Sequence, residues 1–349
     1  AYTKKICGGE ISVVFYDMTT LYFEAAQEDD LRKTGFSKDG KHSCPQIFLG
    51  LLVTTGGNPI GYGIYEGNIH EGKTLVPMIK DLAGRHGFDH PVVIADAGLL
   101  SKKNIEDLEA EKYEYILGAR VKSETAEVKE AILGMNLENG DVRCIDKANG
   151  VRLIVSMSDK RAAKDEAMRK KGLQRLEKRF QTGKLTKANV NNRGYNKYLK
   201  MDGDVSVTID MDKFNADAAW DGIKGYVTNT KLSDAEVISN YSNLWFIERA
   251  FRMNKGDLRA RPIYHRLHNR IEAHICICFT AYTIMLELER ELKDANSDIT
   301  LYQAGRLTKT MYQLNYKMPN SHRTKSVILQ MDSKQKELYD IVLQNDAKK

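Results

Sequence analysis

The run Tyr241–Lys255 constrains the fold most, because it predicts a helix that carries an acid among apolar residues. The run contains no Pro or Gly, and its apolar side chains recur at helical spacing. Just upstream, Ser233–Glu236 has the form of a capping box, in which the first and fourth residues satisfy each other's backbone donors. We therefore predict one helix that begins near Asp234 and continues to Lys255.

Four residues of this run lie near one face of the predicted helix. They are Tyr241 and Leu244 together with the charged Glu248 and Lys255. Burying an unpaired carboxylate is costly, so we expect Glu248 to meet a cation on that face. The alternative is a partly exposed Glu248 that pairs with Arg252 four residues later, an interaction worth about 0.2–0.5 kcal/mol. The spacing alone does not decide between the two.

Length and composition indicate a globular chain with one large or two smaller domains. The chain has 349 residues, of which 29% are charged and 42% hydrophobic. Its net charge of +6 is compatible with a nucleic-acid partner. Five scattered cysteines indicate a reducing compartment, and no apolar run approaches a membrane span. These features predict a cytoplasmic protein with no membrane partner.

The first half of the chain predicts a mixed sheet. A β-rich run over residues 11–17 closes on Asp17, and a short apolar run over residues 91–96 closes on Asp96. Between them, residues 46–66 read as an antiparallel hairpin and a helix follows. A strand that follows a helical crossover can join the sheet in parallel, so the ends of these strands can meet.

Four segments are predicted from the pattern. Residues 1–119 form the first part of a core, and residues 120–220 form a β-rich insertion with one basic helix. Residues 221–290 complete the core, and residues 291–349 form a helical C-terminal region. The basic helix lies between Lys160 and Lys187, a stretch that contains eleven Lys or Arg residues and three acids. It is either a solvated helix or a surface that contacts phosphates.

A second basic stretch follows the predicted helix. From Tyr241 to Ile275 there are seven Arg or Lys residues against three acids. Four ring residues are interleaved with them: Trp245, Tyr264, His265 and His268. Cations suit phosphates and rings suit stacking on bases. This stretch therefore predicts a nucleic-acid groove.

Asp17, Asp96 and Glu248 are candidates for one metal site. Carboxylates at two strand ends and on a packing helix can converge, and converging acids repel one another without a cation. Oxygen ligands without His or Cys favour Mg²⁺ or Mn²⁺, and such sites hold two ions. The simpler alternative is that Asp17 and Asp96 are ordinary acids at strand ends.

The chain resembles the DDE transposases of bacterial insertion sequences, which have an RNase H-like core. It is similar to the subgroup with a Tyr-x2-Arg-x3-Glu-x6-Lys motif on the last catalytic helix, here Tyr241, Leu244, Glu248 and Lys255. The contexts of Asp17 and Asp96 match as well. The likeness covers roughly residues 11–288.

The resemblance implies an α/β, RNase H-like mixed sheet flanked by helices, with a strand-rich insertion before the last catalytic helix. It implies that Asp17, Asp96 and Glu248 are the catalytic metal ligands for two Mg²⁺ or Mn²⁺ ions. The DNA-binding candidates are the ring and cationic residues Tyr241, Trp245, Arg249, Arg252, Lys255, Arg259 and Arg261. The implied partner is double-stranded DNA, both transposon ends and target, bound by a homodimer that assembles on the DNA. The resemblance also implies a nucleoid-associated location and no small-molecule substrate.

Two features depart from the subgroup. Position 244 is Leu where the subgroup has Arg, so Arg249 or Arg252 would replace one phosphate contact. The core also begins within about ten residues of the first residue, whereas relatives carry an end-binding domain before it. We therefore expect a catalytic fragment of a longer transposase.

The expected function is metal-dependent cleavage of DNA at the ends of an insertion sequence, followed by strand transfer. Two alternatives remain open: an RNase H-like nuclease without strand transfer, and a domesticated DNA-binding protein without catalysis. Cleavage of the element's own end in the presence of a metal ion distinguishes them.

Overall fold

A computed structural model describes residues 6–192, 194–202, 206–318 and 323–346. Its described residues form two compact units. The first unit contains the residues up to Asp17 together with His70–Trp245, and the second contains Met18–Ile69 and the residues from Phe246 onward.

Twelve strands lie in the described part of the chain, eight of them in one mixed sheet of order β3-β2-β1-β4-β5-β10-β7-β6. The strands are β1 Val13–Tyr22, β2 Gln46–Thr54, β3 Pro59–Glu66, β4 Val92–Ala95, β5 Tyr115–Ala119, β6 Val142–Asp146, β7 Arg152–Met157, β8 Leu199–Asp202, β9 Ser206–Ile209, β10 Ile223–Thr228, β11 Gln313–Lys317 and β12 Thr324–Ile328.

Ten α-helices are described. They are α1 Leu75–His86, α2 Lys102–Ala110, α3 Ala126–Gly134, α4 Asp159–Gln181, α5 Met211–Ala216, α6 Asp234–Ser242, α7 Trp245–Lys255, α8 His268–Asp294, α9 Leu301–Leu307 and α10 Ser333–Asp346.

The centre of the sheet is parallel. Strand β1 pairs with β4 in parallel, and β4 pairs with β5 in parallel, because helices α1 and α2 provide the crossovers. The expected mixed sheet with flanking helices is thus confirmed. One detail differs: β1 continues to Tyr22, so Asp17 lies inside a strand rather than at its end. The β-branched and aromatic residues after Asp17 carry the strand onward.

The second unit is built around a hairpin and a long helix. Every residue of β2 is buried, and β2 pairs with β3 in antiparallel fashion, as predicted. Helix α8 packs on β3, where the ring of Phe279 lies 4.8 Å from that of Tyr62. The buried hydroxyl of Tyr282 donates a hydrogen bond to the carbonyl of Gly57 at 2.9 Å. Helix α8 is also long and apolar enough to span a bilayer, a criterion that core helices of soluble proteins meet too.

The prediction of one continuous helix from Asp234 to Lys255 is wrong. The capping box at Ser233 and Glu236 starts α6 as expected, but α6 ends at Ser242 and α7 begins at Trp245. At the break, the amide of Leu244 donates to the carbonyl of Tyr241 at 3.1 Å, a tight bond over three residues. Ser and Asn cluster before the break, and their side chains compete with helical backbone bonds.

The segment 120–220 contributes to the main sheet as well as to a small cluster of its own. Strands β6 and β7 extend the sheet beyond β10 in antiparallel pairing. Helix α4 confirms the basic helix, and its buried Leu176 packs with Tyr198, Val207 and Phe214 beside the β8–β9 hairpin. The boundaries at residues 120 and 220 remain a prediction.

The C-terminal region is not wholly helical, contrary to the prediction. Strands β11 and β12 form an antiparallel hairpin between α9 and α10. Alternating residues such as Leu314 and Tyr316 share one side of β11, which is the pattern of a strand rather than a helix.

Candidate metal and DNA-binding site

The first unit places two of the three candidate acids at adjacent positions, Asp17 within β1 and Asp96 directly after β4. Strands β1 and β4 are parallel, with Tyr16 opposite Ala95. Asp17 and Asp96 are the next residues on these neighbouring chains, and both are partly buried. Neighbouring strands lie about 4.8 Å apart, so two carboxylates start from adjacent backbone positions.

A turn after β4 orients Asp96. The amide of Gly98 donates to Oδ1 of Asp96 at 2.8 Å, and the amide of Leu99 donates to the carbonyl of Asp96 at 3.2 Å. A Cβ at Gly98 would lie 2.9 Å from the same Oδ1, which is closer than real Cβ contacts. Glycine at this position therefore leaves room for the carboxylate to fold back over the turn.

A buried hydrogen bond anchors the residue before Asp17. The hydroxyl groups of Tyr16 and Thr74 lie 2.6 Å apart, and both side chains are buried. Thr74 immediately precedes α1 and also donates to the carbonyl of Glu71 at 2.7 Å. This chain of bonds ties β1 to the crossover that leads to β4.

Glu248 lies in the second unit, in the first turn of α7. Its side chain is exposed, so the expectation of a carboxylate buried against a cation is wrong. The alternative pair with Arg252 does not form either.

Within the described ranges, no group of three or more His, Cys, Asp or Glu residues is arranged to hold a metal ion. Asp17 and Asp96 nevertheless supply the oxygen ligands that Mg²⁺ and Mn²⁺ prefer. The donor chemistry of this pair fits such an ion, while the role of Glu248 remains a prediction.

Tyr241 is buried in the first unit at the end of α6. Its ring meets that of Tyr226 edge-on at 4.9 Å, and Nζ of Lys224 lies 4.4 Å from its centroid. A Cβ at Gly118 would lie only 2.4 Å from the Tyr241 hydroxyl, so β5 needs glycine at this position. Lys224 is a cation that the sequence analysis missed, although it precedes the apolar end of β10.

Lys255 and Arg261 share a carboxylate in the second unit. Nζ of Lys255 donates to both oxygens of Asp39 at 3.2 Å, and Arg261 pairs with the same group. Burial lowers the pKa of the Lys255 ammonium, and the charge of Asp39 offsets part of that effect. Asp39 lies in a polar stretch of the sequence that contains nothing to indicate a contact with residues more than 200 positions away.

The other DNA-binding candidates differ in their surroundings. Arg249 donates to Glu289 at 2.6 Å, and this contact outweighs the effect of burial and lowers the pKa of Glu289. Arg252 and Arg259 are exposed, and Trp245 at the start of α7 is 47% exposed. Arg249 is thus engaged within the protein, whereas the side chain of Arg252 is open to solvent.

A cavity of about 610 Å³ lies in the first unit, between α4 and the ends of β5 and β10. Cations outnumber acids in its lining, and Trp220 and Tyr195 add rings. The cations are Arg120, Lys122, Arg161, Arg169, Lys197 and Lys224, against Asp165, Asp217 and Asp221. The inner side of α4 therefore faces a polar, positively charged cavity rather than bulk solvent alone.

The chain belongs to the family defined by the transposase DDE domain, whose family model matches residues 8–284. This match confirms the resemblance drawn from the Tyr241–Lys255 motif. No curated protein matches the sequence.

Among solved structures, the chain is similar to a piggyBac transposase synaptic complex with hairpin DNA, at 9% identity and a TM-score of 0.48, over 83% of this chain and 50% of that one. It is also similar to a Mos1 transposase paired-end complex with the left transposon end, at 11% identity and a TM-score of 0.22, over 32% and 37%. A Mos1 mariner paired-end complex with Mn has 15% identity and a TM-score of 0.20, over 30% and 35%. The chain thus spans half or less of the length of these structures.

Proposed function

We propose that this transposase-family chain cleaves a DNA strand at the end of a mobile element and joins the freed 3′-hydroxyl to target DNA. One observation carries the proposal: Asp17 and Asp96 follow paired residues on adjacent parallel strands. Two carboxylates held in this way would repel each other unless a cation lies between them.

Asp17 and Asp96 would hold Mg²⁺ or Mn²⁺ through their oxygens, with Glu248 of α7 as the third ligand. When bound, such ions activate a water or a 3′-hydroxyl and stabilise the leaving oxygen at phosphorus. The chain's own part is positional. The turn at Gly98 fixes one carboxylate, and the Tyr16–Thr74 bond fixes the strand that carries the other.

Cationic surfaces in each unit would bind the DNA backbone. In the first unit these are α4 and the cavity beside it, and in the second they include Arg252 and Arg259. Each phosphate contact to duplex DNA contributes about −0.9 to the slope of log K against log [salt]. We propose double-stranded DNA as the partner, with two copies of the chain assembled on paired ends.

The experiment compares Asp17→Asn, Asp96→Asn and Glu248→Gln with the wild type on plasmid DNA that carries the element end. Each variant should lose Mg²⁺-dependent cleavage by orders of magnitude while its thermal melting stays close to that of the wild type. Asp30→Asn is the matched control, because Asp30 is an exposed acid outside the proposed site. A folded variant that cleaves at a near-normal rate removes that residue from the site.

Metal binding gives a readout that does not need catalysis. Electron paramagnetic resonance of free Mn²⁺ should show weaker binding by Asp17→Asn and Asp96→Asn than by Asp30→Asn. Equal Mn²⁺ binding by all three would contradict the proposed ligands. Products with the element end joined to target DNA separate a transposase from a simple nuclease, and a wild type that binds DNA without cleaving it would be a binding protein.

A further inference from the structure

Asp39 contacts two of the cations that the family motif and its flanking sequence assign to DNA. Both of its oxygens accept from Nζ of Lys255 at 3.2 Å, and Arg261 forms an ion pair with one of them. The side chains of Asp39 and Lys255 are each 13% exposed, and that of Arg261 is 30% exposed. This is a largely desolvated cluster with two cations and one anion.

Asp39 reaches this cluster from a short turn that is itself anchored. The amide of Gly40 donates to the carbonyl of Ser37 at 3.1 Å, and Gly40 has a φ of 74°, which favours glycine. The amide of Lys38 donates to the hydroxyl of Thr20 at 3.1 Å, and its Nζ donates to the carbonyl of Met18 at 2.5 Å. The turn is thus held on β1 by hydrogen bonds that do not involve Asp39.

The Asp39 carboxylate and a DNA phosphate offer the same chemistry to these cations. Each presents two oxygens that share one negative charge, and Lys and Arg bind both groups through charge-assisted hydrogen bonds. Because the cluster keeps one cation in excess, it would still attract a phosphate. A phosphate that binds both cations must take the place of the carboxylate.

We propose that Asp39 is an internal competitor for DNA: it occupies Lys255 and Arg261 in the free protein and leaves them when a backbone phosphate binds. The inference rests on the proposed function, in which these two cations contact DNA. Asp39 then keeps the affinity of the free chain for arbitrary DNA low. The turn Ser37–Gly40 stays attached to β1 through Lys38 when the carboxylate is released.

The test compares Asp39→Asn with the wild type and with Asp257→Asn in binding a duplex at several salt concentrations. Asp257 is an exposed acid two residues after Lys255. Its replacement makes the same change in net charge and leaves the contacts of Asp39 with Lys255 and Arg261 in place. Asp39→Asn should bind roughly tenfold more tightly near 0.1 M salt, with a salt slope steeper by up to about 0.9. Asp257→Asn should stay within about twofold of the wild type, because exposed charges are screened.

Unchanged or weaker binding by a folded Asp39→Asn overturns the inference, since Asp39 would then only hold the two cations in place. Equal tightening by Asp39→Asn and Asp257→Asn would also overturn it, because net charge alone would explain the gain. Failure of the proposed function looks different: the wild type and both variants would not bind DNA at all.

A second measurement on the wild type covers the case in which Asp39→Asn fails to fold. Carbodiimide labelling of carboxylates, followed by mass spectrometry, should show more modification of Asp39 after duplex DNA is added. Labelling of Asp257 should not rise. An unchanged or reduced yield at Asp39 contradicts its displacement.

Discussion

Replacing Gly118 with Ala is expected to destabilise the first unit by about 1–2 kcal/mol, because β5 packs against a tyrosine at this point. The new Cβ would lie 2.4 Å from the hydroxyl of Tyr241 and 2.9 Å from the amide nitrogen of Ala97. The hydroxyl is at the end of a ring held edge-on by Tyr226 at 4.9 Å. The amide nitrogen is a backbone atom of the turn after Asp96, so it can move only if that turn moves.

The expected loss of stability in Gly118→Ala is the difference between two opposing effects. Inserting a methyl group into a packed site costs about 1–3 kcal/mol through displaced side chains and backbone. Ala also loses less chain entropy than Gly on folding, which returns about 0.5–1 kcal/mol. Gly84→Ala in α1 isolates the second effect, since a Cβ there meets no atom within 4 Å. We expect that variant to be slightly more stable than the wild type.

Urea denaturation followed by tryptophan fluorescence measures the effect, because Trp220 and Trp245 both belong to the first unit. Adding Tyr241→Phe to Gly118→Ala removes the closest clash, so the double variant should be more stable than the sum of the single variants predicts. If Gly118→Ala is as stable as Gly84→Ala, the close packing of Tyr241 on β5 is refuted.

Three further predictions follow from other contacts. Burial alone would raise the pKa of Asp217, but hydrogen bonds from Lys122, Lys197 and Tyr198 hold it well below its ordinary value of 3.8. Its ionised form therefore adds stability above that value, and urea unfolding should show a loss in Asp217→Asn at pH 7 that shrinks as the pH falls below 3.8. Gly98→Ala should displace the Asp96 carboxylate and weaken Mn²⁺ binding, measured by electron paramagnetic resonance. An Mn²⁺ affinity equal to that of the wild type would contradict this prediction. Exposed cations of α4 can be reversed in charge by Lys171→Glu, Arg175→Glu and Lys178→Glu. These changes should weaken duplex binding and make its dependence on salt less steep. An unchanged affinity would show that this face of α4 is only solvated.

The sequence predicted those parts of the fold that depend on local periodicity. The strand that carries Asp17, the strand before Asp96 and their parallel pairing follow from apolar runs joined by a helical crossover. The break after Ser242 was missed, because a two-residue turn interrupts a helix without Pro or Gly and leaves the apolar spacing nearly intact.

Contacts between distant positions were not predictable from one sequence. Asp39 lies in a polar loop that reads as solvent-exposed, yet its carboxylate meets Lys255 because the turn is fixed on β1. Likewise, Gly118 reads as an ordinary glycine in a short strand, and only the position of Tyr241 shows why a side chain does not fit. In both cases the deciding partner arrives from an element far away in the chain.

The second unit is built from two segments that lie far apart in the sequence, and this has a consequence for synthesis. The second unit combines Met18–Ile69 with residues from Phe246 onward, and the first unit lies between them in the chain. A ribosome therefore makes the buried strand β2 long before it makes α8, which belongs to the same unit. Contacts of such high sequence separation form slowly, because a long loop must close first. Until then the β2–β3 hairpin lacks the helix that packs on it, and transiently exposed apolar strands of this kind are prone to aggregate.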